Sequence, residues 1–138
     1  MRLLFKGFGV TTAAAAAAFA LAAPASAVEV RQRVTLASVD GDYSGSIVVE
    51  TGVVKANGTI EDTGFHRGSS ALYINITSTT GTYNIPFATV GNNTAYTFAT
   101  RQKSFPGTFI SGKATLCSWK NSGSSGSTWS CGASKTIG

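Results

Sequence analysis

The chain has 138 residues, of which 12% are charged and 43% hydrophobic, with two cysteines, one histidine and a formal net charge of +5. That length suits a single core of ordinary size and leaves little for a second domain. One histidine and one pair of cysteines give too few nitrogen and sulfur ligands for a zinc site if the cysteines bond to each other, and sparse Lys and Arg with no accompanying motif do not describe a nucleic-acid-binding protein.

Residues 1–27 read as a secretory signal peptide. Arg2 and Lys6 form the basic start, an alanine-dominated apolar run follows over residues 7–23, and Ala25-Ser26-Ala27 is a small-residue cleavage site. The run is short for a membrane span. The expectation is a secreted, extracellular protein with no membrane attachment after cleavage. Residues 28–138 would form one all-β domain, and the alanine-rich leader suggests a bacterial source.

From Val28 the chain alternates at period two. Val28, Val30, Val34 and Leu36 share one parity, and Glu29, Arg31, Arg33 and Thr35 the other, which is the pattern of a half-buried strand. Asp40-Gly41-Asp42 reads as a turn. Tyr43, Ile47, Val49, Thr51 and Val53 predict a second one-sided strand, and Asn57-Gly58 predicts a two-residue hairpin turn into a short strand over residues 59–61. A polar loop over residues 62–70 follows. Leu72, Ile74 and Ile76 alternate with Tyr73, Asn75 and Thr77, and Thr80-Gly81 turns the chain. Tyr83, Ile85 and Phe87 make the next strand, where Pro86 implies a sheet edge or a bulge. Gly91-Asn92-Asn93 is another turn, residues 94–100 another strand with Tyr96 and Phe98 on one face, and Phe105-Pro106-Gly107 a break. Residues 108–119 read as a long final strand. Eight or nine short strands and no helical period predict a small antiparallel β-sandwich or barrel.

That last strand leads into a symmetric segment. Cys117-Ser118-Trp119 is mirrored about Ser124 by Trp129-Ser130-Cys131. Directly opposed residues of an antiparallel pair have a constant position sum, and residues two apart share a face. A single register therefore opposes Cys117 to Cys131 and Trp119 to Trp129 on one side, predicting a disulfide-stapled hairpin beneath a small, polar tip. These are the only cysteines and tryptophans in the chain. The ordinary expectation for such an indole pair is cross-strand packing that covers the disulfide and faces the core. Turned outward, the indoles would instead stack on sugar rings or anchor a protein interface.

Charge is unevenly placed. Without Arg2 and Lys6 the net charge is +3. Residues 28–62 carry Arg31, Arg33 and Lys55 against Glu29, Asp40, Asp42, Glu50, Glu61 and Asp62, whereas residues 63–138 carry six cations and no acid. Segregated in space, these would steer an acidic partner; interleaved, they would make an ordinary soluble surface.

Other candidate chemistry has bland readings. His66 lacks a nucleophile motif such as G-x-S-x-G nearby and reads as a surface histidine. Asp40 and Asp42, with Glu61 and Asp62, offer oxygen ligands for calcium, but Asp-Gly-Asp is ordinary turn chemistry and the spacing is not that of an EF-hand. Neither a metal nor a cofactor is expected.

The functional expectation is a secreted, non-enzymatic protein-binding module: an inhibitor, or an adaptor subunit of a larger extracellular complex of the kind used in competition between bacteria. Its contact residues are expected to be Trp119, Trp129, Lys113, Lys120, Asn121 and Ser124. The alternative is a carbohydrate- or cell-wall-binding module using the Trp119/Trp129 face. Residues 28–36 are expected to pair within their own sheet, donation of that strand to a partner's sheet edge being the variant.

Overall fold

The computed structural model describes residues 28–64, 68–121, 127–132 and 134–138. Among these it forms nine strands: β1 (Val28–Ala37), β2 (Gly41–Glu50), β3 (Val53–Asp62), β4 (Ser70–Ser78), β5 (Gly81–Val90), β6 (Ala95–Ser104), β7 (Phe109–Asn121), β8 (Ser127–Cys131) and β9 (Lys135–Ile137). They make two antiparallel sheets. Sheet A has the order β1-β2-β3-β6. Sheet B has the order β5-β4-β7-β8, and the short β9 pairs with the other end of β7.

The period-two pattern is what packs the sheets together. Val34 and Leu36 of β1, Tyr43, Ile47 and Val49 of β2, and Val54, Ala56 and Ile60 of β3 face inward from sheet A. They meet Leu72, Ile74 and Ile76 of β4, Ile85 and Phe87 of β5, and Ala114 and Leu116 of β7. All are buried, and burial of this apolar surface is the main force holding the two layers together. Pro86 lies on β5, an edge strand, beside a register shift opposite Leu72 and Tyr73. That is where a residue without an N–H costs least.

The Asn57-Gly58 hairpin does not form. The β2–β3 connection is Thr51-Gly52, with Gly52 at φ 71°, and Asn57-Gly58 lies inside β3. The reason is register. A turn at 57–58 would set Val53 against Asp62 and Val49 against the polar loop. The observed pairing sets Val49 against Val54, Ile47 against Ala56 and Tyr43 against Ile60, so apolar residues meet on the core side. Gly58 instead serves a close backbone approach. It opposes Gly45, where a Cβ would stand 1.9 Å from the Asn57 carbonyl oxygen, and it borders a register shift against β6. The Tyr43 hydroxyl donates to that carbonyl at 2.7 Å, while its ring stacks with Phe98 at 6.3 Å. Burial pushes the Tyr43 phenol up to about 12, Arg33 pulling weakly the other way.

β1 pairs along β2 from Val28 to Ala37, so the amino-terminal strand completes its own sheet. Side chains bridge the two long sides of the sandwich. On one, Gln32 of β1 donates to the Thr136 carbonyl of β9 at 2.8 Å; on the other, Arg101 of β6 donates to the Phe87 carbonyl of β5 at 2.8 Å. One end is held by a buried polar chain. Asp62 accepts from the Ser70 hydroxyl at 2.7 Å and from the backbone N–H groups of Gly64 and Asn93. Ser70 is 2.9 Å from the Ser118 hydroxyl, which in turn contacts Ser38. This chain ties β3, β4, β7 and the β1–β2 loop together with every member paired, as burial demands.

Candidate functional site

The stapled hairpin forms in the register that the mirrored triplets imply. β7 and β8 oppose Cys117 to Cys131, Ser118 to Ser130 and Trp119 to Trp129. The two cysteines are bonded. A disulfide is compatible with an extracellular, oxidising environment.

The orientation of the indoles departs from the expectation of core packing. In β7 the residues facing the core are Ala114, Leu116 and Ser118, all fully buried. The alternate set, Ser111, Lys113, Thr115, Cys117 and Trp119, therefore lies on the outer face of sheet B. Trp129 is 44% exposed. The indoles share this outer face with the disulfide, whose Cys131 is itself exposed. The parity is set against the polarity of Ser118, a residue type that ordinarily points outward. Ser118 is held inside by its hydroxyl contacts with Ser70 and Ser38.

Neighbouring strands complete this face. β4 contributes Tyr73, Asn75 and Thr77, with Tyr73 opposite Thr115 and Asn75 opposite Lys113. β5 contributes Asn84 opposite Asn75 and Thr82 opposite Thr77. The aromatic corner is an edge-to-face chain: Trp119 and Trp129 are 5.2 Å apart at 65°, and Tyr73 and Trp129 are 6.3 Å apart at 83°. Such geometry suits the ring quadrupoles and stiffens the group. Beyond it lies a polar ladder. Asn75 donates to Asn84 at 3.0 Å, Thr77 and Thr82 share a hydrogen bond at 3.2 Å, and Thr115 bonds Ser134 at 2.7 Å. Each amide keeps further donor and acceptor capacity beyond that one bond.

Two shallow depressions that share Asn75 run along the face. One, of about 460 Å³, is bordered by Trp129, Tyr73, Asn84, Thr115 and the disulfide. The other, of about 590 Å³, is bordered by Lys113, Ser111, Thr77, Thr82 and Thr136. Lys113 is exposed on this face. Sheet B holds Lys113, Lys120 and Lys135 and no Asp or Glu in any of its strands. Sheet A is balanced, with Glu29, Asp42, Glu50, Glu61 and Asp62 against Arg31, Arg33, Lys55, Arg101 and Lys103. The charge division of the sequence therefore survives in space for sheet B, while β6 carries two cations across and neutralises sheet A.

The remaining sequence candidates are placed as follows. Lys120 and Asn121 end β7, opposite Thr128 and Ser127, with their side chains outside the described part. Ser124 and His66 lie outside the described residues. Asp40 is buried and Asp42 is exposed in β2 opposite Glu61. Among the described residues, no three His, Cys, Asp or Glu side chains are grouped so as to hold a metal ion. Sequence reasoning missed Tyr73, Asn84 and Thr115 as site residues. The alternation of Tyr73, Asn75 and Thr77 with the isoleucines was visible, but not that β4 would lie beside β7.

No known protein family, curated protein or solved structure matches the chain.

Proposed function

We propose that the protein is a secreted, non-enzymatic binding module that engages another extracellular protein through the outer face of sheet B. The observation that carries this reading is an exposed aromatic corner set in an acid-free, hydroxyl- and amide-rich sheet face. Protein interfaces favour this composition, with Trp and Tyr at the anchor, no carboxylate at the centre and a polar rim. Rigidity also favours it. The disulfide ties the two strands that carry the indoles, and Trp129 packs edge-on against both Trp119 and Tyr73, so little side-chain entropy is lost on contact. The cations of sheet B would draw an acidic partner. An inhibitor or an adaptor within a larger extracellular assembly fits a module that acts through one exposed sheet face.

A second reading rests on the first depression. Trp129 beside Asn75, Asn84 and Thr115 is suited to one sugar ring stacked on an indole and hydrogen-bonded by amides. The 65° angle between the indoles gives no flat double-ring platform, which argues against binding to a planar glycan surface.

The test is capture of the stoichiometric partner from native culture fluid, followed by binding kinetics of Trp129→Ala and Lys113→Glu. Loss of affinity with Trp129→Ala and slowed association with Lys113→Glu are expected. Retention on insoluble glycans with no protein captured would favour the second reading.

A further inference from the structure

Five segments of strand stand at the sheet margins, and four are blunted against further pairing. β1 carries Arg31 and Arg33 and is tied to β9 through Gln32. β5 contains Pro86 and a register shift. β8 and β9 have only five and three residues. Charge, proline, irregularity and shortness are the usual means by which sheet edges are kept from pairing with another chain. β6 is the exception. It is a ten-residue edge strand with β3 on one side and no strand on the other among the described residues. Its cations, Arg101 and Lys103, lie in its second half, beyond the register shift. The first half, Ala95-Tyr96-Thr97-Phe98-Ala99, has no charge, no proline and no irregularity against β3 up to Phe98. It also leaves Tyr96 40% exposed on the core side of the sheet, against Phe98 at 6.0 Å.

This half-strand is chemically symmetric about Thr97. Antiparallel pairing about a two-fold axis there would oppose Ala95 to Ala99, Tyr96 to Phe98 and Thr97 to itself. Aromatic and β-branched cross-strand pairs of this kind stabilise sheets. Arg101 and Lys103 would fall opposite Asn93 and Gly91, so no like charges meet. Arg101 would not have to move: its guanidinium lies over the Tyr96 and Phe98 rings and bonds the Phe87 carbonyl of the opposite sheet. We infer that β6 is a self-association edge, on which a second copy of this chain pairs through residues 95–99 to join the two A sheets into one eight-stranded sheet. The contact is isologous, lies away from the outer face of sheet B, and is independent of the partner proposed for that face. Five residues per strand bury little surface, so the dimer belongs to the weak class.

Sedimentation of the purified, disulfide-intact protein from micromolar to millimolar concentration tests it. A monomer–dimer equilibrium within that range is expected. Thr97→Lys, which sets two ammonium groups opposite each other at the axis, should weaken association at least tenfold, while loss of the exposed Thr97–Thr59 hydroxyl bond at 2.9 Å should lower the melting temperature only slightly. Thr97→Cys should yield a covalent dimer on mild oxidation, whereas Thr82→Cys on β5 should not. The cross-link decides the matter should the lysine variant fold poorly. A protein that stays monomeric at millimolar concentration, or a Thr97→Cys variant that forms no cross-link, contradicts the inference, including the case in which β6 is claimed by a different chain.

Discussion

The two outer faces of this sandwich are built by the same alternation and yet differ in chemistry. The outer face of sheet A is an ordinary solvated surface. Asp42, Ser44, Ser46 and Glu50 of β2 stand beside Lys55 and Glu61 of β3, and a Lys55–Glu50 ion pair spans 3.1 Å. The pair is only partly exposed, and surface pairs of this kind contribute about 1 kcal/mol or less to stability. The outer face of sheet B has no carboxylate, three aromatic rings and a ladder of amides and hydroxyls. The core needs only the inward half of each strand, so the outward half is free to differ. Two indoles beside a disulfide on an outer face are what the proposed docking would use.

The comparison is sharpened by changes that act on the frame and on each face in turn. The largest effect is expected inside the frame. Asp62→Ala deprives the buried Ser70 hydroxyl and two part-buried backbone N–H groups of that acceptor and should cost about 3–4 kcal/mol of folding stability; denaturant titration measures it. Removing the staple with the double variant Cys117→Ser and Cys131→Ser opens a loop with a sequence separation of 14, which should cost roughly 3 kcal/mol by the chain-entropy argument. Thermal unfolding with and without reductant reports it.

On the sheet B face, Trp129→Ala should weaken partner binding by about 2 kcal/mol, some thirtyfold in Kd. Its exposure should keep the change in folding stability under about 1 kcal/mol. If unfolding suffers more than binding, the indole is a packing element and the contrast between the faces collapses. On the sheet A face, Lys55→Ala should change binding and stability by no more than about 0.5 kcal/mol each.

Tyr43 gives a pH test of the frame alone. Its phenol is raised to about 12 in the folded protein by burial, against about 10 in an unfolded chain. The folded state therefore holds this proton more tightly than the unfolded state. The stability it protects is intact below pH 10 and is lost as pH rises from about 10 toward 12, by up to roughly 1.4 kcal/mol per unit. Tyr43→Phe should flatten that part of the stability profile, read as denaturation midpoints across the window.

Much of the frame was legible because alternation and turn chemistry are local. The strands around Val34, Ile47, Ile74 and Leu116, the edge position of Pro86 and the hairpin register all follow from period two and from mirrored positions. What was not legible depends on neighbours distant in sequence. Asn57-Gly58 carries a turn signature, but the partners of Val49 and Val53 decide the register and turn that pair into a close approach within β3. The outward turn of the indoles could not be read from β7 alone. Its hairpin end is apolar on both parities, with Leu116 on one and Cys117 and Trp119 on the other. The residue that breaks the tie, Ser118, is buried by contacts with residues about 50 and 80 positions away. β9 is too short to carry a periodic signal. The site was half visible: the indoles and Lys113 stood out, while Tyr73, Asn84 and Thr115 joined them only through the β5-β4-β7 order.

The central claim is that the outer face of sheet B is the one that meets the partner. Hydroxyl-radical footprinting of the protein alone and in complex with its captured partner tests this most directly. The account predicts strong protection of Trp129, Trp119 and Tyr73 on binding, with no change at Val48 on the outer face of sheet A. Protection centred on Val48 and its neighbours, with Trp129 as reactive in the complex as in the free protein, would contradict it.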